Sequence, residues 1–196
     1  MLNVYLLRHG ETAYNADGNR YCGRTDVGLT DKGMQQAQRV YEQLKDKRID
    51  VVYSSPLQRA RITAEIATGK SVVTDQRLIE IDFGGWEGKT REEFVAEAPA
   101  TWEAWAQDPA TARAGGSGES GSEVIVRLND FFNEMLTRHT GETIVVVGHN
   151  GINRFYMAHK LGMELKHYRR IFQENSAITF FELDDKGEFT LKKLNA

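Results

Sequence analysis

The chain predicts a three-layer α/β/α sandwich around a largely parallel sheet, on three observations. Apolar runs and amphipathic helical segments alternate through most of the 196 residues, as βα units do. One run, Thr143-Ile144-Val145-Val146-Val147, is apolar throughout, as a central strand covered on both faces must be. Several runs also stop at polar, chemically capable residues, and α/β sheets bind ligands beyond the carboxyl ends of their strands.

In order along the chain, Val4-Tyr5-Leu6-Leu7 is the first strand and ends in Arg8-His9-Gly10. A cation, an imidazole and an unhindered amide at one point suit a phosphate: Arg forks onto its oxygens, Gly lets the backbone come close, and His can attack phosphorus. The polar stretch 11–29 is long for a connection, which favours a binding loop where Asn15 and Arg20 could donate to an anion. Taken alone, Asn15 is ordinary turn chemistry. Thr30 is the N-cap of a packing helix with Met34, Ala37, Val40, Tyr41 and Leu44 on one face. Ile49 to Tyr53 is the next strand, and Ser54-Ser55-Pro56 ends it and opens a helix with Pro56 in its first turn. Arg59 falls at the start of that helix, where a cation opposes the dipole unless an anion or a carboxylate partner is near. Gly69 is its C-terminal stop.

Val72-Val73 is a short strand. In Leu78 to Gly88, apolar neighbours surround Glu80 and would raise its pKa toward that of a usable acid; the plainer alternative is an exposed strand carboxylate. Thr90 with Glu93, and Ser120 with Glu123, are capping boxes that open two helices. Residues 88–120, with Phe94, Trp102, Trp105 and a Gly-rich end, form an excursion placed to cover a site; the tryptophans are packing residues first. The second helix carries Val124, Leu128, Phe131, Phe132, Met135 and Leu136, with Arg127 paired internally and His139 at its dipole-favoured end. The strand 143–147 passes through Gly148-His149-Asn150-Gly151 into another helix. Segments 177–183 and 189–194 close as a hairpin around Asp184 to Gly187. His159 and His167 lack comparable surroundings. No linker or repeat divides the chain, so one domain spans 1–196.

The totals narrow the function. A net charge of −3 supplies no basic field for nucleic acid or an acidic membrane, so an anionic ligand needs a local pocket. One cysteine, Cys22, rules out an internal disulfide and a thiolate zinc cluster. No apolar stretch is long enough for a membrane helix and no signal-peptide pattern opens the chain, so a cytoplasmic protein is expected by default. No serine sits in a nucleophile elbow, no HExxH is present and no His lies at metal-ligand spacing from paired carboxylates, which disfavours serine and metal hydrolases. Arg8, His9, Arg59, Glu80 and His149 converge from separate segments on one sheet edge, and phosphoryl transfer with His as nucleophile is the chemistry that fits.

LLRHGET at 6–12, SSPLQRARITA at 54–64, LIEIDFGGWEG at 78–88 and VVVGHNG at 145–151 together resemble the histidine phosphatase superfamily, in its phosphoglycerate mutase-like branch, over nearly the whole chain. The resemblance implies that His9 becomes the phosphohistidine and that Arg8, Arg59 and His149 hold the phosphoryl oxygens. It makes Glu80 the proton donor and turns Asn15 into a phosphate ligand. It implies no metal and no cofactor, with a small phosphorylated metabolite as ligand. Two departures bear on substrate choice. Cys22, before Gly23, stands where many relatives have Gln, and it either lines the pocket or fills space. Asn150 replaces a glycine common after the second His. The compact chain favours hydrolysis over a cofactor-dependent phosphoglycerate mutase. The loop 21–26 is similar to that of α-ribazole phosphatases, and a phospho-ligand-binding protein without turnover is the second alternative, after the mutase. The metabolite and the oligomeric state stay open, a dimer among the options.

Overall fold

The computed structural model describes all 196 residues. Six strands form one sheet in the order β3-β2-β4-β1-β5-β6: β1 (Leu2–Arg8), β2 (Val51–Ser54), β3 (Val72–Thr74), β4 (Thr143–Gly148), β5 (Ile178–Leu183) and β6 (Phe189–Lys193). β3, β2, β4 and β1 run parallel, and the closing hairpin β5–β6 adds two antiparallel strands beside β1. The helices are α1 (Ala13–Ala16), α2 (Asp31–Leu44), α3 (Gln58–Thr68), α4 (Arg91–Glu97), α5 (Pro99–Gln107), α6 (Gly121–Arg138) and α7 (Asn150–Lys160).

The apolar strand β4 is covered on both faces, as its composition requires. Ile144 and Val146 join a larger core with α6, α7 and the 88–120 segment, while Val145 and Val147 join a smaller one with α2 and α3. The three expected caps at Thr30, Thr90 and Ser120 are all present, each accepting from the backbone three residues on. Gly69 ends α3 in the left-handed conformation. Arg127 is paired internally, with Glu119 and with the carbonyls of Arg77 and Ile79. His139 bridges the Tyr53 hydroxyl and Glu142, a structural tie.

Three local expectations change. Pro56 lies before α3 and not in its first turn, because Leu57 is the N-cap. Met34 faces solvent on α2, and Gly33 takes the buried position against the loop after β1. The segment around Glu80 is neither a strand nor exposed: it crosses the sheet edge as irregular chain with single 3-10 turns at Gln76–Leu78 and Gly84–Trp86.

Strand order positions the site. β4 lies between β1 and β2, with Arg8 in register with Gly148 and Ser54 with Val147. The ladder runs one step past each strand, the His9 amide donating to the Gly148 carbonyl and the Ser55 amide to that of Val147. The chain therefore leaves three neighbouring strands side by side, carrying Arg8-His9, His149 and, one turn later, Arg59.

Candidate active site

His9 and His149 face each other with ring centroids 5.1 Å apart, a direct result of the Arg8–Gly148 register. His9 Nδ1 lies 2.7 Å from the Gly10 carbonyl. A carbonyl can only accept, so Nδ1 carries the proton and Nε2 keeps its lone pair. Burial, then the Arg59 and Arg8 guanidiniums, hold the His9 pKa well below the ordinary imidazole value. Burial and Arg59 do the same for His149, with smaller contributions from its charged neighbours. Neither His149 nitrogen has a hydrogen-bond partner within the chain, although the ring is fully buried.

Both arginines are aimed by backbone carbonyls. Arg8 Nη1 donates to the Gln173 carbonyl at 2.8 Å, and burial lowers its pKa to about 10, which leaves it charged at neutral pH. Arg59 is completely buried; its Nη1 and Nη2 donate to the Thr25 and Gly23 carbonyls, each at 2.7 Å. The carboxylate partner that would have made Arg59 a merely structural residue is not there. Nε of each arginine is buried with no partner in the chain. Buried cations held by neutral acceptors leave positive charge uncompensated, which favours an anionic ligand.

Glu80 is tied into the site by a helix end. Its Oε2 accepts from the Gly151 amide at 3.0 Å, and Oε1 accepts from the Ile152 amide at 3.1 Å and the Ile81 amide at 3.0 Å. The N-cap residue of α7, His149, makes no side-chain cap, so Glu80 satisfies those orphan amides from 71 positions away. A Cβ at Gly151 would lie 2.7 Å from the Glu80 carboxylate, so a glycine there lets the acid reach the helix. The role expected of Gly10 changes in a similar way: its Cβ would meet the Gly33 carbonyl at 2.5 Å, so the close approach is to α2. Thr63 of α3 accepts from the Gly10 amide and donates to the Arg59 carbonyl, coupling the two segments.

Asn15 belongs to α1, not to an open loop. Its Oδ1 accepts from the Thr12 amide in a capping box and from Asn175 Nδ2 at 3.2 Å. Asn175 Nδ2 also lies 3.1 Å from the His9 carbonyl, and the Ser176 amide donates to the carbonyls of Arg8 and His9. Residues 173–176 thus clamp the end of β1, a function that no periodicity in their sequence announces.

Arg8, His9, Asn15, Cys22, Arg59, Glu80 and Asn150 line one cavity of about 460 Å³. His149 sits beneath it, packed on His9. Gly23 does not line it: it stands behind the wall, its carbonyl aiming Arg59 and its positive φ bringing the chain against Glu87. Cys22 does line it, with burial pushing its thiol pKa up so that it stays protonated. Arg20 is already held by Asp17 and Glu93, which weakens the expectation that it serves an anion. The outer wall adds residues not anticipated from the sequence: Tyr21, Arg91, Arg154, Arg169 and Phe172. Arg154 shares a helix face with Asn150, four positions earlier, and that spacing was the available signal.

The two neutral histidines fix a pH dependence of stability. Below pH 6.5 the unfolded chain takes up protons on these residues that the folded chain refuses, so stability rises with pH and is lost as pH falls under 6.5. Each imidazole contributes a slope of up to about 1.4 kcal/mol per pH unit. Urea unfolding at pH 7.5, 6.5 and 5.5 should show a plateau and then a loss, above the range where carboxylates titrate. A flat profile would contradict the burial of two neutral imidazoles.

A sheet edge that sets an imidazole with one free nitrogen among buried, carbonyl-held guanidiniums is a place built for a phosphoryl group. The chain belongs to the histidine phosphatase superfamily (branch 1), whose pattern matches residues 4–196. It is 34% identical over 195 residues to phosphoserine phosphatase 1 of Hydrogenobacter thermophilus, covering 98% of this chain and 92% of that one. A crystal structure of a mutant phosphoserine phosphatase from Entamoeba histolytica in complex with phosphoserine matches with TM-score 0.91 and 31% identity, covering 100% of this chain and 98% of that one. The same organism's enzyme in complex with 3-phosphoglyceric acid matches at 0.90 and 32%, with the same coverage. A putative α-ribazole-5′-phosphate phosphatase from Escherichia coli matches at 0.87 and 28%, covering 100% of this chain and 96% of the other. The protein is a phosphatase acting on small phosphate monoesters.

Proposed function

We propose that hydrolysis proceeds through a phosphohistidine on His9, with water as the final acceptor. The observation that carries this is the bond from His9 Nδ1–H to the Gly10 carbonyl, which leaves Nε2 as a neutral nucleophile facing the cavity. Arg8, Arg59, Asn15 and His149 take the three non-bridging oxygens and offset the charge of the dianion as His9 attacks in line. Glu80 gives its proton to the departing ester oxygen. In the second step it removes a proton from the water that attacks the phosphohistidine. The guanidiniums supply the positive charge this requires, so no metal enters the scheme. Residues 88–120 serve as the wall over the outer cavity, through Arg91 and Glu92 at the start of α4. Asn150 and Cys22 shape the inner wall and bear on substrate choice. A monomer or dimer in the cytoplasm is compatible with this chemistry.

The test is phosphate release from a panel of metabolites in EDTA, with interconversion of phosphoglycerates followed in parallel. Release is expected to persist in chelator and to exceed isomerisation. Isomerisation faster than release would make the protein a mutase, and binding without either would make it a phospho-ligand receptor.

A further inference from the structure

The floor of the cavity explains a phosphoryl group, but the outer wall carries positive charge the mechanism does not use. Arg91, Arg154 and Arg169 all line it, and none is within ion-pair distance of a carboxylate. By contrast Arg20, on the same wall, is held between two acids. The free arginines are instead fixed by neutral groups. Arg154 Nε donates to the Tyr168 carbonyl at 3.2 Å, and Arg169 Nη2 to the Tyr21 hydroxyl at 2.9 Å. The Arg169 guanidinium also lies over Trp102 and Tyr168, at 4.8 and 5.1 Å from the ring centroids, and that of Arg154 lies 5.2 Å from the Tyr168 centroid. Arg91 covers Trp102 from the rim at 4.7 Å.

These contacts order the guanidiniums without neutralising them. Arg154 and Arg169 are half-buried; they repel one another, and Arg154 also repels Arg8. A fold gains nothing from clustering like charges in a half-desolvated wall, whereas a ligand with a second anionic group would gain from it. The Tyr168 hydroxyl, a neutral group, is a further partner of Arg169. Glu92 and Glu80 are the only carboxylates on the cavity surface, and Glu80 is committed to α7.

We propose that Arg154 and Arg169, with Arg91 at the rim, form a subsite for a second oxyanion, carboxylate or phosphate, so that the substrates are small phosphomonoesters with two anionic ends. This rests on the phosphatase reading above. The two complexes of the Entamoeba histolytica relatives, with phosphoserine and with 3-phosphoglyceric acid, both hold ligands of that class.

The experiment pairs substrates that differ only at the far end: phosphoserine against phosphoethanolamine, and 3-phosphoglycerate against glycerol 3-phosphate. A bisphosphate without a carboxylate, 1,3-propanediol bisphosphate, is added to separate carboxylate from phosphate recognition. The wild-type protein is expected to prefer the doubly anionic member of each pair by at least tenfold in kcat/KM, mainly through KM. Arg154→Gln and Arg169→Gln should each collapse that ratio several-fold, with Arg169→Lys recovering part of it. Preference for the bisphosphate over both carboxylates would name phosphate as the second anion. Binding of phosphoserine and phosphoethanolamine to His9→Ala protein, by calorimetry, reads the same discrimination if turnover fails, so the subsite and the phosphatase reading can fail separately. Equal handling of the paired ligands, or variants that weaken both members alike, overturns the proposal.

Discussion

With His9 replaced by alanine, phosphate release is expected to fall by at least ~10⁴-fold on every substrate, because the nucleophile is gone and no other group in the cavity can take its place. Cys22, the other nucleophile on the cavity wall, is kept as a thiol by burial. His149, the nearest imidazole, is fully buried beside His9 and is assigned to a phosphoryl oxygen, not to attack on phosphorus. The substitution leaves the phosphate cradle standing: Arg8 is aimed by the Gln173 carbonyl and Arg59 by those of Thr25 and Gly23, none of which involves the His9 ring. Ligand affinity should therefore survive while turnover does not. Labelled substrate, quenched in alkali, should mark the wild-type chain with an acid-labile phosphate that maps to His9 and is absent from the variant. Wild-type rates in the variant, or label on another residue, would move the nucleophile elsewhere and take the proposed mechanism with it.

The two motifs at strand ends were legible because strand termination and side-chain chemistry are both local. Arg8-His9 and Gly148-His149 each follow an apolar run, and a parallel sheet places such ends on one edge. What the sequence withheld is the aiming. Nothing around residue 173 indicates that its carbonyl holds Arg8, or that Asn175 ties His9 to Asn15; these are contacts across some 160 positions made by irregular chain. Glu80 shows the same limit. Its apolar neighbours suggest an acid in greasy surroundings, whereas the structure gives it three amide donors, two of them from a helix formed far along the chain. Arg154 was missed for a different reason. It sits within a helix whose period reads as packing, and one arginine on such a face is normally a solvated residue. Only the neighbouring Arg169, from the segment after α7, makes it part of a cluster.

Glu80→Gln separates the two jobs that Glu80 holds. As a helix-end acceptor, glutamine keeps one oxygen but turns an N–H toward an amide that needs an acceptor, so the folded state should lose about 1–2 kcal/mol and remain populated. As an acid, glutamine has no proton to give. An alkyl phosphate such as phosphoserine has a poor leaving group and needs that proton, so its kcat should drop by roughly 10²–10⁴-fold. p-Nitrophenyl phosphate has a good leaving group and its first step needs little help. Its second step still needs a base for the attacking water, so the variant should release one equivalent of nitrophenolate per site in a burst and then stall with phosphate on His9. The wild-type protein should turn over without stalling, with only a steady-state fraction of its sites carrying phosphate. The burst is the decisive readout, because a loosened α7 would slow both substrates together and could not produce it. Equal slowing of alkyl and aryl esters without a burst would reduce Glu80 to a helix cap, and the proton would have to come from another group on the cavity wall.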